Sequence, residues 1–130
     1  MSKSDITNLD DVKRLVDVFY GKVRRDALLS PIFEKAIGDH WDTHLNKMYQ
    51  FWQTVLLEEH TYYGSPFLPH TKLPIKKEHF QQWLLLFNAT LKAEFNGEVA
   101  EEASWRAHKM AEMFQLKLQY MEENNSKPLI

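Results

Sequence analysis

The sequence contains no cysteine and only four glycines among its 130 residues. The lack of cysteine excludes disulfide bonds, thiolate zinc sites, iron–sulfur clusters and covalent CxxCH attachment of haem. The scarcity of glycine disfavours phosphate-cradling loops, and neither a serine-elbow motif nor HExxH is present. Any metal must therefore be held by histidine or carboxylate, and histidine is the residue type left to carry chemistry.

The sequence also lacks concentrated charge and long apolar runs. Its formal net charge is −2 and its basic residues are scattered, which disfavours nucleic-acid binding and a basic membrane-binding face. The longest apolar runs, such as WLLLF at 83–87, are too short to span a bilayer. The polar start MSKSDITN does not resemble a signal peptide. We therefore predict a cytoplasmic protein with neither a nucleic-acid partner nor a membrane partner.

Aromatic residues, by contrast, are abundant: eight Phe, five Tyr and four Trp make up 13% of the chain. Aromatic side chains fill ordinary cores, but they also line pockets for flat apolar ligands. The chain length and the hydrophobic content of 44% suit one domain with one core. We expect a single domain over 1–130, with its core from about 8 to 121 and with a frayed polar N-terminus and C-terminal tail.

Apolar residues recur at helical spacing in five segments, and no segment alternates as a strand does. Thr7, with Asp10 three residues on, is the predicted N-cap of the first helix. Ser30 is the predicted cap of the second helix, which Gly38 closes. We predict an all-α fold with a long irregular stretch in the middle of the chain. The predicted helical segments are 7–26, 30–38, 39–59, about 75–95 and about 98–122.

Two of the six histidines, His40 and His44, are four residues apart in the third predicted helix. This spacing would let both bind one metal ion from the same helix face. Alternatively, His40 is an exposed residue near the helix start and only His44 points inward. The second reading follows from the apolar face that His44 shares with Met48, Phe51 and Trp52.

A third histidine, His70, lies in a segment restricted by proline. Pro69 precedes it directly and Pro74 follows shortly after, so the backbone on both sides has little freedom. Such a loop would aim an imidazole as an axial metal ligand requires. The alternative is an ordinary surface histidine in a loop.

Tyr20 and Trp83 fall on the apolar stripes of their helices, yet each carries a hydrogen-bond donor that needs a partner when buried. A backbone carbonyl could satisfy each of them separately. Together with an inward His44, however, they place polar atoms from three helices inside aromatic surroundings. That pattern suits a small polar ligand held within an apolar cavity.

These residues together resemble the truncated haemoglobins, short bacterial globins, and most closely their group III. The resemblance covers most of the chain, from about 8 to 121. The glycine-pair motifs common in the other two truncated groups are missing, as in group III. The resemblance rests on VFYGKVRRD with Tyr20, PIF with Phe33, HLNKMYQFW with His44, and PHTKLPIKKEHFQQWL with His70 and Trp83.

The resemblance implies a two-over-two helical sandwich around haem b (iron protoporphyrin IX). His70 would be the proximal iron ligand, and Tyr20, His44 and Trp83 would form the distal site. Other residues would contact the porphyrin or its edge. These are Phe33 against the ring, Met48, Phe51 and Trp52 in the distal wall, and Tyr63, Lys72 and His79 as candidate propionate contacts.

The resemblance further implies reversible binding of O2, CO and NO at ferrous haem. Strong distal donors would favour O2, NO or peroxide chemistry over bulk transport, and such chemistry would need an external reductase; whether the protein is an enzyme stays open. Two alternatives also remain open. One is a helical bundle that holds a non-haem metal through His40, His44 and nearby carboxylates, and the other is a helical interaction module without a cofactor.

Overall fold

The computed structural model describes residues 3–64 and 75–123, and in these ranges the chain forms five α-helices and no strand. The all-α prediction is confirmed, and each predicted helix lies within two residues of an observed one at both ends. None of the described helices is long and apolar enough to cross a bilayer. The helices are α1 (Leu9–Arg25), α2 (Ser30–Ile37), α3 (Trp41–Leu57), α4 (Lys77–Glu94) and α5 (Glu98–Glu123).

The helices pack as two pairs, α1 with α3 and α4 with α5. The pairs contact each other where α1 meets α4 and where α3 meets α5, while α2 packs on α1. This is the predicted two-over-two sandwich. Its core is dominated by apolar side chains of α1 and by a stripe of small side chains on α5, which lets the helices approach closely. The α5 stripe consists of Ala100, Ala103, Ala107 and Ala111.

The start of α1 differs from the prediction by one residue. Asn8, and not Thr7, is the N-cap, and its Oδ1 accepts a hydrogen bond from the Asp11 amide at 2.9 Å. Thr7 instead donates its amide and its hydroxyl to the Asp11 carboxylate, at 2.9 and 3.1 Å. The cap therefore joins Asn8 to Asp11 and does not join Thr7 to Asp10.

The start of α2 also differs, because Ser30 is the first helical residue and not the cap. The turn before it is stabilised by Asp26, whose Oδ2 accepts hydrogen bonds from the amides of Leu28 and Leu29 at 3.1 and 2.9 Å. The predicted end is correct: Gly38 caps the helix with φ +57°, a conformation that favours glycine.

The N-terminal segment contributes to the fold before residue 8, where the core was expected to begin. Ile6 is only 1% exposed, and the neighbouring Asp5 caps the start of α5. The Asp5 carboxylate accepts hydrogen bonds from the amides of Val99 and Ala100, both at 2.9 Å. A Cβ on Gly97 would overlap the Asp5 side chain, and Gly97 has φ +151°, so glycine is required there for both reasons. The segment before α1 is thus attached to the α4–α5 corner.

We expect Asp5→Asn to lower the free energy of unfolding by about 1 kcal/mol at pH 7, the usual cost of losing a cap. Burial alone would raise the pKa of Asp5, but hydrogen bonds from the amides of Val99, Ile6 and Ala100 outweigh it and the pKa is lowered. The stabilisation is therefore fully present above the unfolded-state pKa of about 3.9 and is lost as the pH falls through the folded-state value.

Urea unfolding of both proteins at pH 7 and at about pH 3 measures this difference. The gap between wild type and Asp5→Asn should narrow in acid. Asp10→Asn, which changes an exposed carboxylate in the first turn of α1, serves as the control. A gap that stays equally wide at both pH values would contradict a role for the ionised Asp5 cap.

Candidate functional site

The candidate site begins with Tyr20, which points from α1 into the core and is 6% exposed. Burial raises the pKa of Tyr20, so its phenol stays protonated at physiological pH. A protonated phenol in apolar surroundings is a hydrogen-bond donor. The aromatic ring of Phe19 lies beside it, with ring centroids 4.9 Å apart.

His44 reaches the same place from α3. Its ring is perpendicular to the Tyr20 ring, with centroids 5.1 Å apart. The side chain is half-buried and its Nε2 atom is shielded from solvent. The structure therefore places His44 on the inward side of its helix, next to the Tyr20 ring.

Trp83 comes from α4 and joins the site through Phe19. The Phe19 and Trp83 rings meet edge to face, with centroids 5.2 Å apart. On its other side the indole stacks on Phe87, nearly parallel at an interplanar angle of 3°. Phe87 also stacks on Trp52, so an unbroken aromatic layer runs from α4 to α3. The structure thus brings the three predicted donors, Tyr20, His44 and Trp83, to one aromatic cluster.

The other predicted wall residues lie around this cluster. Phe33 of α2 has its ring centroid 6.1 Å from that of Tyr20. Met48 and Phe51 of α3 are half-buried against the core, and Trp52 is 4% exposed. Their positions put apolar surface from α2 and α3 next to the donors.

The candidate propionate contacts do not gather at one place as the donors do. Tyr63 is 83% exposed, and its hydroxyl lies 3.5 Å from the His60 carbonyl oxygen. His79 caps α4: its Nδ1 accepts a hydrogen bond from the Lys76 amide at 2.9 Å. A neutral ring bonded in this way carries its proton on Nε2, which makes that atom a donor. The predicted ligand His70 and the predicted contact Lys72 lie outside the described residues.

The described residues that lead toward His70 are attached to α3. Thr54 Oγ1 accepts hydrogen bonds from the amides of Thr61 and Tyr62, both at 3.0 Å. The same hydroxyl donates to the Glu59 carbonyl at 3.2 Å. The Tyr62 ring then packs on Phe51 with centroids 5.4 Å apart. The chain therefore leaves α3 along a defined course beside the aromatic cluster.

The alternative metal site on His40 and His44 is not supported. His40 is exposed and occupies the N-cap of α3, whereas His44 faces the aromatic cluster. Within residues 3–64 and 75–123, no group of three or more His, Cys, Asp or Glu side chains could hold a metal ion. This result leaves an imidazole pair without the additional ligands that a protein metal site needs.

Trp41, the first residue of α3, was not among the predicted site residues. It is 8% exposed, and its ring lies 6.0 Å from that of Tyr20 and 5.8 Å from that of His44. Its Nε1 donates to Glu34 Oε2 at 3.4 Å, and the Arg24 guanidinium lies 4.4 Å above the ring. The sequence did hold a signal, because Trp41 precedes His44 by three residues and so shares its helix face.

A family model for bacterial-like globins matches residues 5–119, which is most of the chain. The chain belongs to the bacterial-like globin family. This globin is 38% identical over 117 residues to a group 3 truncated hemoglobin of Campylobacter jejuni, covering 87% of this chain and 92% of that protein. It also resembles the crystal structure of group III truncated hemoglobin from Campylobacter jejuni. That match has a TM-score of 0.83 and 37% identity, and it covers 90% of this globin and 95% of the other chain.

The predicted resemblance to group III truncated haemoglobins is confirmed, and membership of the globin family implies a haem cofactor. The described residues fit that group. Haem needs a large apolar surface, which the half-buried side chains of Phe33, Phe51 and Trp83 offer around the stacked rings of the cluster. A small ligand beside haem needs donors, which Tyr20 supplies through its protonated phenol. The aromatic cluster therefore suits a haem protein better than a non-haem metal site.

Proposed function

We propose that this globin binds haem b with His70 as the proximal ligand and holds a diatomic gas, O2 above all, with Tyr20, His44 and Trp83. The observation that supports the proposal is the convergence of these three side chains, from three helices, on one aromatic cluster around Phe19. Ferrous haem, when bound, supplies an iron centre with an open position for O2, CO or NO.

The three distal side chains have different chemical roles. Tyr20 donates a hydrogen bond from its phenolic hydroxyl, which stays protonated because burial raises its pKa. Trp83 can only donate, through its indole N–H, whereas His44 can donate or accept according to its tautomer. A ligand that gains negative charge is stabilised by each donor by about 1–3 kcal/mol, which slows its release by about 5–150-fold.

The remaining predicted residues shape and close the pocket. Phe33 and Met48 supply apolar surface that excludes water from the donors. Tyr63, Lys72 and His79 are the candidate contacts for the propionates. His79 is the best supported of these, because its Nδ1 accepts a hydrogen bond from an amide and its Nε2 therefore carries a proton to donate.

Strong retention of O2 suits chemistry on O2, NO or peroxide better than bulk transport. Such a cycle consumes electrons, so we propose that an external reductase supplies them. We further propose that the protein acts in the cytoplasm as a single domain. No group of acidic and histidine side chains in the described ranges favours the non-haem alternative.

Purification of the recombinant protein tests the cofactor assignment. We expect a red protein with a Soret band that shifts when the reduced protein is exposed to CO, and a stoichiometry of about one haem per chain. Haem titration of any colourless fraction should give the same spectrum. A protein that stays colourless after haem is added would disprove the proposal. A bound non-haem metal found by elemental analysis would favour the non-haem metal protein instead.

A further inference from the structure

We propose that Trp41 is a positioning residue of the distal site: Arg24 and Glu34 hold its indole, and the indole fixes the orientation of His44 beside Tyr20. The inference rests on the proposed function, because the effect of Trp41 on a gas ligand requires that the ligand sit beside His44. Its structural part, the fixed indole, does not depend on haem.

Two contacts hold the indole, and an ion pair between its two partners closes a ring of three residues. Arg24 Nε forms an ion pair with Glu34 Oε1 at 3.2 Å, and Trp41 Nε1 donates to Glu34 Oε2 at 3.4 Å. The Arg24 guanidinium covers the indole face at 4.4 Å. The two carboxylate oxygens thus have separate partners, and a shift of any one of the three residues disturbs two of the three contacts. The ring connects the last turn of α1, the middle of α2 and the first residue of α3.

The start of α3 depends on this attachment. Its N-cap, His40, makes no side-chain capping hydrogen bond, so the first turn has no local cap of its own. That turn carries His44 one helical turn after Trp41. The attachment of Trp41 to α1 and α2 therefore limits how the first turn, and His44 with it, can move relative to Tyr20.

The indole also contacts the distal residues directly. Its ring meets His44 at an interplanar angle of 90° and Tyr20 at 66°, both edge to face. Aromatic pairs prefer such edge-to-face arrangements, so an indole that Glu34 and Arg24 hold in place restrains both rings that it contacts. The ion pair is about half exposed and adds little stability by itself. We therefore expect the ion pair to affect the orientation of the Trp41 indole more than the free energy of unfolding.

Substitutions in the full-length, haem-loaded protein test the inference. Trp41→Leu removes the ring contacts. Trp41→Phe removes the N–H donor and the fused five-membered ring but keeps an aromatic ring. Glu34→Gln weakens the pairing of residue 34 with Arg24. We expect Trp41→Leu to change the O2 release rate by at least about threefold and to broaden or split the infrared C–O stretch of bound CO. Glu34→Gln, a conservative surface change, should give a smaller effect on both measurements.

A matched control exists on α5. Arg106 pairs with Glu102 at 3.2 Å, at nearly the same exposure as the Arg24–Glu34 pair, and its guanidinium lies 5.7 Å from the Trp105 ring centroid. Glu102→Gln should leave O2 release and the C–O stretch as in wild type. An equal effect of Glu102→Gln and Glu34→Gln would show that the response is not specific to Trp41.

A measurement without haem separates the two proposals. In NMR spectra of the full chain before haem is added, the Trp41 indole N–H should exchange with water more slowly than that of exposed Trp105. Glu34→Gln should speed the Trp41 exchange and narrow this difference, because an amide oxygen is a weaker acceptor than a carboxylate oxygen. If the NMR result is obtained but the protein takes up no haem, the fixed position of the indole is supported and the proposed function is disproved. In a haem protein, a folded Trp41→Leu with wild-type O2 release and a single wild-type C–O band would overturn the inference.

Discussion

Replacing His70 by glycine should abolish stable haem binding, or leave a haem protein without histidine ligation in its ferrous spectrum. The chain has no cysteine, so a neutral imidazole is the expected axial ligand. His70 is the histidine that Pro69 and Pro74 restrict, which lowers the entropy lost when its ring is fixed. The haem-to-protein ratio after gel filtration and the ferrous absorption spectrum measure the effect.

Added imidazole should restore ligation in His70→Gly, because the small ligand can occupy the space of the missing ring. The control is His108→Ala: this exposed histidine on α5 pairs with Asn88, its Nε2 lying 2.9 Å from the Asn88 amide nitrogen. That variant should bind haem as the wild type does. Unchanged spectra in His70→Gly would show that His70 is not the iron ligand.

The helices could be predicted from the sequence because their signals are local. The apolar stripe of α1 repeats within two turns, and Gly38 marks the end of α2. The N-cap of α1 was wrong by one residue for an equally local reason. Thr7 and Asn8 are both good caps, and each is followed three residues later by an aspartate, so the sequence alone does not separate the two registers.

Contacts between distant residues could not be predicted in this way. Asp5 caps α5 across 94 and 95 residues of chain, and no local pattern links it to Val99 and Ala100. Similarly, no helical periodicity links Glu34 of α2 to Trp41 of α3, although only seven residues separate them. Such pairings depend on which helix faces meet, and this is decided by the packing of the whole core.

The candidate site lies between these two cases. Tyr20 and Trp83 could be assigned to inward faces from helical periodicity, and the structure places both in the aromatic cluster. Trp41 was overlooked because a buried tryptophan is a normal core residue, and its role depends on the position of Arg24 above it. His70 and Lys72 remain predictions from the resemblance, since they lie outside the described residues.

Removing the phenolic hydroxyl of Tyr20 should have the second large effect, on the rate of O2 release. We expect Tyr20→Phe to speed O2 release by about 5–150-fold, because the change deletes one donor and keeps the buried ring. The direction follows from the protonation state: burial raises the pKa of Tyr20, so the wild-type side chain donates a proton and is not a repelling phenolate. Stopped-flow replacement of O2 by CO measures the rate.

Trp83→Phe should act in the same direction, since it deletes the indole N–H and keeps an aromatic ring against Phe19 and Phe87. If both donors stabilise the same ligand, the double variant should deviate from additivity, as expected for residues that share a partner. Comparison of the double variant with the two single variants therefore tests whether Tyr20 and Trp83 form one binding site or two independent contacts.

Tyr49→Phe is the matched control, because it also deletes a phenolic hydroxyl where α1 packs on α3. Tyr49 donates to Asp17, and burial together with this hydrogen bond raises the pKa of Tyr49 to about 12. Lys13 lies over its ring, 5.6 Å from the centroid, on the exposed side of α1. Loss of the Tyr49 hydroxyl should change the O2 release rate by less than about twofold, a free-energy difference of under about 0.5 kcal/mol. Rates that stay within this range for both Tyr20→Phe and Trp83→Phe would disprove the distal hydrogen-bond hypothesis, because even a weak donor stabilises its ligand by more than that.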